Sequence, residues 1–62
     1  MSKRTAIEIA QNEMDLSGRN VTVTDVVASH HPLECEIQLS DGKTVNISGL
    51  VAVELINELK KP

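Results

Sequence analysis

The sequence predicts an α+β two-layer sandwich in the order α-β-β-β-α, a three-stranded antiparallel meander with two helices on one face. Three patterns predict it. Leu33, Cys35, Ile37 and Leu39 alternate with Glu34, Glu36 and Gln38, the period of a strand with one wet face. Ala52, Leu55, Ile56 and Leu59 stand at i, i+3, i+4 and i+7, the stripe of an amphipathic helix. Between two alternating runs, Ser40-Asp41-Gly42 has the composition of a hairpin turn.

The first helix is expected over residues 5–17. Thr5 and Glu8 fit a capping box, in which the hydroxyl caps the helix and the carboxylate reaches back. Gly18 suits a left-handed C-cap. At 100° per residue Ala6, Ile7, Ala10 and Met14 share one side, flanked by Ile9 and Leu16, with Glu13 interrupting. Residues 20–28, rich in Val and Thr, read as a strand. Its alternation breaks at Asp25-Val26-Val27, which marks a bulge or the strand's end, unless both faces are covered there.

Residues 33–40 and 43–48 form the next two strands, and parity fixes the turn between them. Directly paired residues of an antiparallel ladder share a face. A two-residue loop would set Leu39 against Thr44. A three-residue loop of Ser40, Asp41 and Gly42 pairs Leu39 with Lys43, Ile37 with Val45 and Cys35 with Ile47, which keeps the apolar set together. This is a type I turn followed by a left-handed Gly42 in a bulge. The second helix is expected over 49–60, with Ser48 as its N-cap and Lys60 and Lys61 favoured at its C-terminus by the dipole. The first and third strands are then the sheet edges, and exposed edges invite pairing with another copy.

Length and composition bound the assembly. The chain has 62 residues, no Phe, Tyr or Trp, one cysteine and a net charge of -3. That allows one domain, 1–62, and no internal disulfide. Val, Ile and Leu supply 18 residues, too many for a disordered chain. A domain this small buries only about 60% of its unfolded surface, and the balance of burial against chain entropy is close to zero. Without aromatics, disulfide or a metal, association with a second copy is the remaining stabilising device, so a homodimer is expected. No run of about 18 apolar residues exists to span a membrane. The residues after Ser2-Lys3-Arg4 lack the apolar core of a signal peptide, and a lone cysteine suits the reducing cytoplasm.

No catalytic, cofactor-binding or metal-ligating set is assigned. His30, His31 and Cys35 are the only cluster of metal-ligand types, and their spacing fits no zinc pattern. Cys35 should point into the core between two outward carboxylates, where no base activates it. Gly42-Lys43-Thr44 resembles the end of a phosphate-binding loop, but Ile37 stands where that loop needs glycine and a strand follows in place of a helix. The wet sheet face, with Thr22, Thr24, Glu34, Glu36, Gln38, Thr44 and Asn46, offers nothing to build a pocket. Basic residues gather as Lys3-Arg4 and Lys60-Lys61 at the chain ends. An acidic chain without stacking aromatics is a poor match for nucleic acid.

The function expected is a small non-enzymatic interaction or regulatory module, a homodimer that binds another protein. Its interface is expected on the second helix, at Leu50, Val51, Val53, Leu55, Ile56 and Leu59, which cover more than one helix face. The alternatives are a nucleic-acid-associated regulator that uses the basic ends, and a metal-binding protein that uses the His30-His31 loop. Steep salt dependence marks the first and stoichiometric zinc the second.

Overall fold

The computed structural model describes residues 2–61. It has the order α1 (Ser2–Leu16), β1 (Val23–Ala28), β2 (Glu34–Leu39), β3 (Thr44–Ser48) and α2 (Leu50–Lys60). The strands pair in chain order, each antiparallel to the next. α1 packs over β1 and against α2, and α2 packs over β2 and β3. This is the α+β sandwich that the alternating strands and amphipathic helices imply.

One core joins the two layers. Ala6, Ala10 and Met14, four residues apart on α1, are buried with Val23, Val26, Cys35, Ile37 and Leu39 of the sheet and with Ala52 and Leu55 of α2. Ile37 and Leu55 are its largest fully enclosed side chains. Ala6, Ala10 and Ala52 have no exposed surface. Such short side chains let the helices lie close to the sheet, so the core closes without an aromatic ring. Towards β3 it thins, and Val45 and Ile47 are only half-buried.

The bulge in β1 is where the alternation fails. Thr24 and Asp25 together stand opposite Gln38, and Val23 pairs with Leu39. The extra residue lets Val23 and Val26, three apart, both face the core. The hairpin also has the three-residue loop demanded by parity. Leu39 donates its N–H to the Lys43 carbonyl at 2.9 Å, and Gly42 to the Leu39 carbonyl at 3.1 Å. Gly42 has φ +87°, a value that favours glycine. Asp41 Oδ1 accepts the Lys43 N–H at 2.9 Å and fixes the turn.

Four local expectations are corrected. α1 begins at Ser2, so Thr5 lies inside the helix and forms no capping box; Lys3 and Arg4 are good helix formers and carry the helix past the expected start. β1 begins at Val23, after a Schellman ending of α1 in which Gly18 donates to Asp15 at 3.1 Å and Arg19 to Met14 at 3.0 Å. Leu33 is 50% exposed and precedes β2, because a turn bonded from Glu34 to His31 holds it outside the strand. Ser48 does not cap α2. It ends β3, because the ladder runs on to Gly49, whose N–H reaches the Leu33 carbonyl at 3.2 Å. Gly49 is the N-cap, with no side-chain cap bond, at φ 84° and ψ -152°. That is a backbone region reserved almost entirely for glycine.

Candidate interaction surface

The two edges of the sheet differ. A free edge strand presents alternate N–H and C=O groups without partners. Along β1 four of these groups meet side chains of the same chain. Gln11 of α1 donates Nε2 to the Val21 carbonyl at 2.9 Å, and its Oε1 accepts the Val23 N–H at 2.8 Å. Lys3 Nζ donates to the Val26 carbonyl at 2.6 Å and to Asp25 Oδ1 at 2.8 Å. Asp25 Oδ1 also accepts the Val26 N–H at 2.8 Å. Between Val21 and Val26 these four bonds clamp the edge. These bonds hold the Asp25 carboxyl below its ordinary pKa, the Lys3 ammonium first and the Val26 amide second, against a smaller opposing effect of burial.

β3 has no such cover. The bonded pairs Leu39–Lys43 and Leu33–Gly49 bracket it, so Val45 and Ile47 turn their main-chain groups towards β2. Thr44, Asn46 and Ser48 turn theirs outward, where the described residues supply no partner. The strand has no charge, no proline and no bulge, the usual devices that protect an edge.

α2 extends this open side. Its Ala52 and Leu55 face the core, while Val51 and Glu54 turn towards α1 and line a groove with Ile9 and Asn12. At 100° per residue Val53 and Ile56 fall on the opposite flank, above β3, with Leu50 beyond them. Ile56 rests on the core edge, Val53 is half-buried outside it, and Leu50 is 88% exposed. The six residues expected as an interface are therefore divided. Leu55 belongs to the core and is wholly enclosed, Val51 serves the contact with α1, and Leu59 is half-buried against the core. Leu50, Val53 and Ile56 remain together on the open side.

The residues with chemical potential stand apart. Cys35 is buried, its Sγ 3.6 Å from the Ala52 carbonyl, and burial pushes its thiol pKa up. His30 and His31 lie in the exposed turn before β2. His31 Nδ1 accepts the Leu33 N–H at 3.1 Å and lies 3.7 Å from Glu34 Oε2. Ser29 Oγ braces this turn, accepting the His31 N–H at 3.1 Å and donating to the Glu34 carbonyl at 3.1 Å. Among the described residues no three His, Cys, Asp or Glu side chains converge as metal ligands. Of the terminal basic residues, Lys3 pairs with Asp25, Arg4 with Glu8 at 3.8 Å and Lys61 with Glu58 at 2.6 Å. No helix among the described residues is long and apolar enough to cross a membrane.

The edge-clamping roles of Gln11 and Lys3 are not among the expectations from the sequence. A signal was present, because Lys3, Ile7 and Gln11 are four residues apart and run beside the buried line of Ala6, Ala10 and Met14. Comparison with protein-family models, curated proteins and solved structures gives no match to this chain.

Proposed function

We propose that this protein is a small, non-enzymatic interaction module of the cytoplasm that works as a homodimer and engages another protein. The observation that supports it most is the inequality of the sheet edges. One is closed by Gln11, Lys3 and Asp25, while the other is uncharged and bordered by Leu50, Val53 and Ile56. A chain of 62 residues without aromatics has a thin core, and covering the half-buried Val45 and Ile47 adds to it where it is weakest. A lone buried thiol suits a reducing compartment. Protein is a better partner class than nucleic acid, because three of the four basic residues near the chain ends are already engaged by carboxylates.

Sedimentation velocity over a wide range of protein concentration tests the homodimer. The species should shift from 6.7 kDa to twice that mass as concentration rises. Leu50→Glu and Val53→Glu should each oppose the shift by placing charge on the open side. A single 6.7 kDa species at every concentration contradicts the proposal.

A further inference from the structure

We infer that two copies join through β3 as an antiparallel pair centred on Asn46, so that two three-stranded sheets become one of six strands. The inference rests on the self-association proposed above and specifies its geometry. The outward main-chain groups of Thr44, Asn46 and Ser48 are spaced to meet those of a two-fold-related strand. Asn46 exchanges both of its bonds with Asn46 of the partner subunit, and Thr44 exchanges both with Ser48 of the partner subunit. With the symmetric set, six otherwise unmade hydrogen bonds form.

The side chains suit this register. Read in either direction, Thr44-Val45-Asn46-Ile47-Ser48 gives hydroxyl, β-branched apolar, amide, β-branched apolar, hydroxyl. An antiparallel self-pair therefore sets hydroxyl against hydroxyl and amide against amide on the wet face. On the core face it sets Val45 against the partner subunit's Ile47, in the position where side chains of an antiparallel pair come closest. A slip by one residue would turn the apolar pair of one strand against the wet face of the other. Lys43, just outside the strand, falls opposite glycine at position 49 of the second copy, so no like charges meet. Above the joined strands the two α2 flanks face each other through Val53 and Ile56.

The same edge could serve a strand of a different protein, but the β1 edge, clamped from Val21 to Val26, points to a second copy. A molecule with two open edges adds strands without limit, whereas one open edge and a two-fold operator close at the dimer.

Asn46→Pro separates the possibilities. The Asn46 N–H points away from β2, so proline removes no bond within the folded monomer but deletes the central pair between copies. The variant should keep the circular dichroism of the parent and sediment at 6.7 kDa where the parent is dimeric. Register is read from cysteine variants treated with a short thiol cross-linker, with the buried Cys35 as the silent background. Asn46→Cys should cross-link to itself within the dimer. Thr44→Cys alone should not, and the Thr44→Cys/Ser48→Cys pair should. A parent that is monomeric throughout removes both the self-association and its geometry. A parent dimer in which folded Asn46→Pro still dimerises, or Asn46→Cys fails to cross-link, overturns the β3 pairing and leaves dimerisation by another surface.

Discussion

Gln11 Oε1 accepts the main-chain N–H of Val23 at 2.8 Å, so a helix side chain stands where a fourth strand would pair. Its amide Nε2 takes the Val21 carbonyl at 2.9 Å, and one residue closes two positions of the β1 edge. The neighbouring Lys3 and Asp25 do the same at Val26. This self-closure of one edge is what makes the bare edge of β3 conspicuous.

Gln11→Ala should destabilise the protein by about 1 kcal/mol. Water can replace both bonds at an edge, and alanine returns a few tenths of a kcal/mol in helix propensity. The Val23 amide should then exchange with solvent faster, while the amides of Ile37 and Leu55, deep in the core, change only with global stability. Denaturant titration and amide exchange on the same variant check both points. An unchanged Val23 rate would show that the helix clamp does not protect this edge.

Asp25 should govern part of the acid limb of stability. Its carboxyl pKa is lower in the folded state than in the unfolded chain, because the Lys3 ammonium and the Val26 amide favour the charged form. The unfolded state therefore takes up the proton first. The contribution is complete above the unfolded value, near about 4, and is lost as pH falls through the folded one. Asp25→Asn should flatten the acid limb of a stability curve measured from neutral pH down to about 2. An acid limb as steep in the variant as in the parent contradicts the role of the carboxylate.

Cys35 acts in the opposite pH range. Burial raises its thiol pKa, so the unfolded chain ionises first and stability falls above the unfolded value of about 8.5. The thiol should also react with a colorimetric disulfide reagent only as fast as the fold opens. Labelling rates and unfolding rates measured across a denaturant series should run in parallel. Rapid labelling of the fully folded protein contradicts the placement of Cys35 beneath Ala52.

Leu55 and Leu50 are five residues apart on α2 and should respond oppositely. Leu55 is wholly enclosed, and Leu55→Ala should cost about 2–5 kcal/mol. A domain this small holds only about 3–5 kcal/mol from its core, so the variant should be largely unfolded. Leu50→Ala should change monomer stability by less than about 0.5 kcal/mol and weaken self-association. Thermal unfolding at low concentration and sedimentation at high concentration distinguish the two effects. Equal destabilisation by both variants would place Leu50 in the core.

Patterns of period two and 3.6 made the architecture legible in the sequence. Cys35, Ile37 and Leu39 are buried as alternation requires, and Ala52 and Leu55 as the helical stripe requires. The hairpin followed from parity alone, because only a three-residue loop keeps Ile37 opposite Val45. The boundaries were less legible, since propensity competes there with long-range bonds. Ser48 has a good capping side chain, yet the Gly49–Leu33 bond holds it in the sheet. The edge clamp depends on Gln11 and Lys3 reaching across 10 to 23 positions in the chain; their four-residue spacing places them on one flank of α1, but no local pattern says which strand that flank meets. Of the helix residues expected to supply an interface, Leu50, Val53 and Ile56 stay on the open side, because Leu55 serves the core and Val51 the contact with α1.

The amide of Asn46 gives the most direct test. In the isolated subunit its N–H has no partner among the described residues, whereas those of Val45 and Ile47 face β2. Hydrogen exchange read by nuclear magnetic resonance over a range of protein concentration should show the Asn46 amide slowing as the dimer forms. Those of Val45 and Ile47 should be protected throughout. Fast exchange at Asn46 in solutions where the protein is dimeric would contradict the β3 pairing.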